Sequence, residues 1–197
     1  MRDDGSDPTQ DLPLEDPLPL VRLLTTSYIA MLAIGSSIAL YQGALPARIV
    51  GEAPVRDLLL GLGTGVGLIL LSWCMAIVVR PLREIIPELQ AIFKELSPPR
   101  IVLFAVLVGC AEEILFRGVL QPAIGLVGTS LAFGLIHIFP TLKLLPWTLF
   151  AIAAGFLLGW LYETTGGLLA PTLAHILVNG TNLLLISRKP GRRLTES

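Results

Sequence analysis

The chain has 197 residues, of which 53% are hydrophobic and only 15% are charged. Soluble domains carry about 25% charged residues, so this composition, with a mean hydropathy of +0.75, argues against a soluble enzyme and against a disordered protein. The formal net charge of −1 leaves no basic excess that would hold nucleic acid. The composition therefore predicts an all-α, polytopic helix bundle embedded in a lipid bilayer.

Six apolar segments, each near the roughly 20 residues that cross a bilayer, follow an acidic and proline-rich start. Residues 1–19 hold six acidic residues and four prolines, which predicts a disordered tail. We expect a single transmembrane domain over 20–187 and a basic C-terminal tail over 188–197. The predicted spans are 21–43, 57–79, 101–121, 123–139, 144–163 and 168–187.

The segment between the second and third predicted spans is less apolar. Its apolar residues recur at helical spacing near 82–96, which predicts an amphipathic helix at the membrane interface, with a plain cytoplasmic linker as the alternative. With the amino terminus inside, eleven Lys and Arg residues fall on that side and two on the other, Arg117 being set aside. This asymmetry predicts that both termini are cytoplasmic.

The glycine-rich run in the second span does not match a nucleotide-binding loop, because position 66 is valine and no strand precedes it. Glycines four residues apart instead let helices approach closely. We therefore predict helix packing at two pairs, Gly61 with Gly65 and Gly63 with Gly67.

Ionisable residues lie inside the predicted spans, where each costs about 2.5–3.5 kcal/mol on insertion scales. They are Glu112, Glu113, His137 and His175, and they include both histidines of the chain. Arg117 lies near the end of the same span as the glutamates. Such residues usually face a cavity and carry function, so this set is the candidate site.

The spacing of these residues divides their roles. Glu113 and Arg117 are four residues apart and can pair on one face of a helix. Glu112 lies about 100° around the helix, without a local counter-charge, and suits a general base. His175 and Asn179 are also four apart, so both can donate hydrogen bonds to a developing oxyanion.

Depth in the membrane gives a second constraint. At 1.5 Å per residue, Glu112 lies roughly 18 Å from the cytoplasmic end of its span, and His175 and Asn179 lie at roughly 20 and 14 Å. His137 lies at roughly 9 Å. We therefore expect the fourth span to be tilted or displaced, or its boundary to differ.

Three short motifs carry a family resemblance. EEILFR at 112–117, FGLIH at 133–137 and HILVN at 175–179 resemble the EExxxR, FxxxH and HxxxN motifs of the CPBP family. These are the CAAX-processing and bacteriocin-processing (Abi) intramembrane proteases, all-helical membrane proteins. The resemblance covers roughly 100–187, which would be the catalytic half.

The resemblance implies hydrolysis of a peptide bond within or near the membrane. By position, Glu112 would activate water with help from His137, and His175 with Asn179 would stabilise the oxyanion. Glu113, Arg117 and Phe133 would give structural support.

Metal dependence stays open in the sequence. Glu112, His137 and His175 could supply three zinc ligands with water in the fourth position, although no HExxH motif is present. The resemblance favours a glutamate mechanism that requires no cofactor.

The expected substrate is a membrane-embedded or lipid-anchored protein or peptide. The chain itself is expected to be a multi-pass protein of a bacterial cytoplasmic membrane or of an internal membrane of bacterial origin. Two other function classes remain open. The chain could be a catalytically silent relative that acts as a scaffold, immunity or assembly factor in a membrane complex. Buried Glu and His residues also build proton relays, so a proton-coupled transporter is the third possibility.

Overall fold

The computed structural model describes residues 18–43, 45, 49–51, 53–138 and 141–188. This described part is all-α and holds no strand. Its helices are Leu18–Tyr41 (α1), Pro54–Val78 (α2), Arg80–Glu84 (α3), Ile86–Phe93 (α4), Pro98–Glu113 (α5), the π-helical segment Ile114–Leu120, Gln121–Leu135 (α6), the 3₁₀ turn Leu142–Leu144, Leu145–Thr165 (α7) and Leu169–Ile186 (α8).

Proline and glycine set several helix ends. A proline occupies the first turn of each helix from α2 to α7, where its missing N–H costs no helical hydrogen bond. Gly166 ends α7 with a left-handed φ of 69°, and Gly125 interrupts α6 with a φ of 73° and a ψ of 173°. Both conformations are accessible to glycine and strained for other residues.

Four stretches of the described chain are long and apolar enough to cross a membrane: Leu18–Tyr41, Pro54–Val78, Leu142–Thr165 and Leu169–Ile186. They correspond to the first, second, fifth and sixth predicted spans. The prediction of an all-α membrane helix bundle is therefore confirmed.

The third and fourth predicted spans are not regular helices of that length. The π-helical segment forms the end of the third span, and the break at Gly125 lies near the start of the fourth, whose helix α6 ends at Leu135. A total of six spans and the cytoplasmic location of both termini stay predictions.

The predicted tails lie outside the described residues, apart from their innermost members. Leu18 and Pro19 already belong to α1, so the helix begins two residues before the predicted boundary. The predicted amphipathic helix near 82–96 is two short helices, α3 and α4, which meet at Ile85. Pro87 in the first turn of α4 fits this break. The location of α3 and α4 at the membrane interface stays a prediction.

Helix α8 lies at the centre of the bundle, where it packs against α2, α5 and α7. Helix α6 packs against α7 and the π-helical segment, and α1 packs against α5 and the same segment. The main core joins α2, α7 and α8. Its buried members are Leu68, Ala154, Leu158, Leu161, Ala170, Ala174 and Val178.

The two predicted glycine pairs of α2 differ in their surroundings. A Cβ at Gly61 would lie 2.8 Å from the Ala170 carbonyl oxygen, and a Cβ at Gly65 would lie 3.2 Å from Ala174 Cα. Both glycines therefore allow α2 and α8 to approach closely. Gly63 and Gly67 have nothing within 4 Å of a Cβ. The prediction for that pair is wrong, because two residues turn about 200° around the helix and place it on the outer face.

Candidate active site

Three of the predicted site residues lie where α5 passes into the π-helical segment. Glu112 and Glu113 end α5, and Arg117 is the fourth residue of the segment. Their side chains are enclosed, with residue exposures of 1%, 0% and 0%. Short π-helical insertions are rare overall, and those that occur are often found at functional sites. The irregular backbone thus coincides with the charged motif.

Glu113 pairs with two partners through its two carboxylate oxygens. Its Oε2 lies 3.2 Å from Arg117 Nε, which confirms the predicted ion pair. Its Oε1 lies 2.7 Å from His175 Nδ1. Because the carboxylate accepts, Nδ1 carries the proton of the imidazole ring. Glu113 therefore joins the π-helical segment to α8 and fixes the orientation of His175.

Glu112 has one occupied oxygen and one free oxygen. Its Oε1 accepts a hydrogen bond of 3.0 Å from the hydroxyl of Tyr28 in α1. Its Oε2 is buried, has no hydrogen-bond partner among the described residues, and lies 3.7 Å from His175 Nε2. That distance is too long for a direct hydrogen bond. Glu112 Oε2 and His175 Nε2 thus face each other inside the protein without forming a hydrogen bond.

Arg117 is held by three kinds of contact. Besides the ion pair with Glu113, its Nη2 donates to the carbonyl of Gly155 in α7 at 3.0 Å. Its guanidinium carbon lies 4.9 Å from the ring centroid of Phe133, within the range of a cation–π interaction. The guanidinium is therefore a fixed structural cation rather than a mobile one.

Phe133 of α6 is the packing centre of the site. Its ring centroid lies 5.0 Å from that of Phe116, 4.7 Å from that of His137 and 5.9 Å from that of His175. The ring is buried at 3% exposure. The phenylalanine of the FGLIH motif thus connects both histidines to the Arg117 guanidinium.

His137 makes no ion pair or hydrogen bond with the carboxylates within the described part of the chain. Its Nδ1 is 2.7 Å from the Phe133 carbonyl, and because a carbonyl can only accept, Nδ1 is the donor and Nε2 the acceptor. The described contacts of its ring are with Phe133 and, at 6.5 Å, with Trp147. The shallower membrane depth expected for His137 stays a prediction.

The predicted zinc ligands are not gathered into a metal site. Among the described residues, no group of three His, Cys, Asp or Glu side chains is arranged to hold a metal ion. Glu112 and His175 approach each other, whereas His137 lies two residues beyond the end of α6 and is turned toward the Phe133 carbonyl. The described residues therefore do not fit a zinc site.

Asn179 lies one helical turn after His175 on α8, as the spacing predicts. Its side chain is partly buried and takes part in no hydrogen bond within the described part of the chain. The structure thus joins Glu113 directly to Arg117 and His175, and places Glu112 3.7 Å from His175.

Sequence reasoning missed Tyr28 and the π-helical geometry. Tyr28 lies in the middle of the first span, in a half of the chain without family motifs. The available signal was a phenol hydroxyl inside an apolar span, since a buried hydroxyl needs a partner. The partner lies 84 positions away in the sequence, so no helical spacing indicated it.

The comparisons with known proteins concern the part of the chain that carries the three motifs. Residues 94–181 match the model of a family described as type II CAAX prenyl endopeptidase Rce1-like. This part of the chain is similar to that family. The match includes all three motifs, so the resemblance to CAAX-processing proteases is confirmed, whereas Tyr28 lies outside it.

A curated relative is the uncharacterized protein YpbD of Bacillus subtilis (strain 168). It is 44% identical over 92 residues, which cover 46% of this chain and 47% of the relative. The chain thus spans about half the length of the curated relative it matches. No solved structure matches the chain.

Proposed function

We propose that the chain is an intramembrane endopeptidase that hydrolyses a peptide bond of a membrane-embedded or lipid-anchored protein or peptide. One observation carries the proposal: Glu112 Oε2 is buried without a hydrogen-bond partner and faces His175 Nε2 inside an Rce1-like bundle. An unsatisfied buried carboxylate oxygen costs free energy. It is expected where a reactant, here a water molecule, completes its hydrogen bonds.

Glu112 is the general base of the proposed reaction. Its Oε2 takes a proton from the water molecule as the water oxygen attacks the scissile carbonyl carbon. When the tetrahedral intermediate collapses, the C–N bond breaks and the protonated Glu112 returns its proton to the leaving amine. The water oxygen ends in the new carboxyl group, and the base is regenerated.

His175 and Asn179 stabilise the oxyanion of the tetrahedral intermediate. Because Nδ1 of His175 donates to Glu113, only Nε2 remains for the substrate, and it donates when the ring is an imidazolium. Two carboxylates face a single guanidinium here, so an imidazolium would balance the buried charge. The free carboxamide of Asn179 supplies a second donor.

His137 assists through the nitrogen that its backbone hydrogen bond leaves free. Nε2 is an acceptor, so it can take a hydrogen bond from the attacking water and orient that water toward the substrate. All of these steps use side chains of the chain itself, and we propose that no metal cofactor takes part. The proposed location is a bacterial cytoplasmic membrane, since the curated relative is a bacterial protein.

The test compares two Glu→Gln variants of the full chain in its native membrane. Glu112→Gln removes the base while keeping the side-chain shape, and Glu88→Gln makes the same change at an exposed position of α4. At equal abundance, we expect Glu112→Gln to slow product formation by at least about 100-fold and Glu88→Gln to match the wild type. Membrane peptides that depend on Glu112, identified by mass spectrometry, would name the substrate.

A catalytically silent relative is the competing possibility, because His137 lies apart from the carboxylates in this structure. In that case Glu112→Gln would leave the peptide profile unchanged and would restore the function of a deletion strain. This result would reject the endopeptidase and favour a scaffold, immunity or assembly role in a membrane complex.

A further inference from the structure

We infer that Tyr28 of α1 is a positioning residue for the Glu112 base, an inference that rests on the proposed function. Its hydroxyl donates a 3.0 Å hydrogen bond to Glu112 Oε1. The other oxygen, Oε2, is the one that lacks a hydrogen-bond partner and faces His175. The tyrosine thus occupies one carboxylate oxygen and leaves the other for the water molecule.

The position of Tyr28 is fixed by the way α1 packs. Val21, Tyr28 and Gly35 are seven residues apart and therefore share one face of the helix, with Val21 and Gly35 buried. A Cβ at Gly35 would lie 3.5–3.6 Å from Ile114 and Leu115, so α1 lies directly against the π-helical segment. The contact of Gly35 with the π-helical segment and the hydroxyl of Tyr28 are therefore on the same face of α1.

The ring of Tyr28 is also fixed. It packs edge-to-face on Phe104 of α5, with ring centroids 6.0 Å apart and an interplanar angle of 88°. The carboxylate of Glu112 can rotate about its last bond, and a terminal bond of this type has broad minima. A hydrogen bond from a fixed ring restricts that rotation. Oε2 is thereby held toward the attacking water.

This arrangement gives the first half of the molecule a part in the proposed reaction. The positioning donor comes from a helix outside residues 94–181, which carry the family match. The Tyr28 ring provides packing that phenylalanine can replace, whereas the hydroxyl provides a contact that phenylalanine cannot. Tyr28→Phe therefore separates packing from positioning.

The experiment uses the full chain in lipid nanodiscs with two probes, a farnesylated peptide ending in a CAAX sequence and the same peptide without the lipid. Tyr28→Phe is compared with Tyr41→Phe, the same change in the same helix at a residue that is 93% exposed. We expect Tyr28→Phe to lower kcat by about 10- to 100-fold with KM unchanged. Tyr41→Phe should match the wild type in both constants.

A purely structural tyrosine would give a different result. An unchanged kcat for Tyr28→Phe would overturn the inference, and so would a raised KM at unchanged kcat, because either means that the hydroxyl does not act on the base. The folded fraction, measured by size-exclusion profile and thermal unfolding, corrects kcat for any lost protein.

Glu112→Gln separates this inference from the proposed function. If Glu112→Gln abolishes cleavage and Tyr28→Phe behaves as the wild type, only the positioning role fails. If Glu112→Gln retains activity, or if the wild-type chain cleaves neither peptide, the proposed function fails and the positioning role fails with it.

Discussion

Helices α1 and α2 differ from the carboxy-terminal helices in what they enclose. Only 11% and 17% of the apolar windows of α1 and α2 are buried within the protein, against 44% for the window that includes α7. Outward-facing leucine, isoleucine and valine side chains cover the rest of the first two helices. In a bilayer these side chains face lipid tails that are as apolar as they are. The exposure of these side chains therefore does not destabilise α1 and α2 in a bilayer.

The carboxy-terminal helices enclose the charges that lipid cannot solvate. Glu112, Glu113, Arg117 and His175 are all buried among α5, the π-helical segment, α7 and α8. Among the described residues of the first half, Asp57 is a buried acid, which lies in the first turn of α2 and pairs with Arg56. The carboxy-terminal helices thus contain most of the main hydrophobic core and also enclose the charged groups of the site, which need protein partners because lipid cannot solvate them.

The largest effect is expected when one charge of the site loses its partner. Arg117→Leu removes the ion pair to Glu113 and the hydrogen bond to Gly155. Removing one partner of a buried pair costs about 3–5 kcal/mol, because the remaining charge stays buried. We expect a loss of this size in the free energy of unfolding, measured on the full chain in nanodiscs.

A double variant and a surface variant are the controls. Glu113→Leu/Arg117→Leu removes both charges and should recover much of the lost stability, but not activity, because His175 loses its acceptor. Arg80→Leu breaks the exposed pair with Glu84 and should cost less than about 1 kcal/mol. Equal losses for Arg117→Leu and Arg80→Leu would contradict the structural role of Arg117.

Apolar length predicted the helices well because a membrane helix must satisfy its own backbone hydrogen bonds. The predicted spans end within a few residues of α1, α2, α7 and α8. The π-helical segment and the break at Gly125 were not predicted, because the spans were assigned from length and apolar content alone. A one-residue change in backbone pitch alters neither quantity.

The site was predictable where its contacts are local. Four-residue spacing gave the Glu113–Arg117 pair, and it placed Asn179 one turn after His175. The bond between His175 and Glu113 joins residues 62 positions apart, so no spacing indicates it. For that reason the sequence assigned Glu113 to Arg117 alone, whereas the structure shares it between Arg117 and His175.

The second test concerns how the two halves pack together. Gly61→Ala places a Cβ 2.8 Å from the Ala170 carbonyl oxygen, a backbone atom that cannot move aside cheaply. We expect a loss of about 1–3 kcal/mol in the free energy of unfolding. Gly63→Ala, on the outer face of the same helix, should change it by less than about 0.5 kcal/mol. Similar losses for both would mean that α2 does not contact α8 through Gly61.

The smallest expected effect is on stability, and two asparagines of α8 distinguish helix packing from catalysis. Asn182 accepts from Trp73 Nε1 at 3.0 Å and donates to Ser72 at 3.1 Å, both in α2. Asn182→Ala should cost about 0.6 kcal/mol of stability, the average for such contacts in membranes, and leave cleavage intact. Asn179→Ala breaks no hydrogen bond within the described chain, so it should keep stability and lose cleavage rate. Both properties are measured on the same samples, by thermal unfolding and by peptide cleavage. If Asn179→Ala lowers stability and Asn182→Ala lowers the cleavage rate, Asn179 stabilises helix packing and its proposed oxyanion role is wrong.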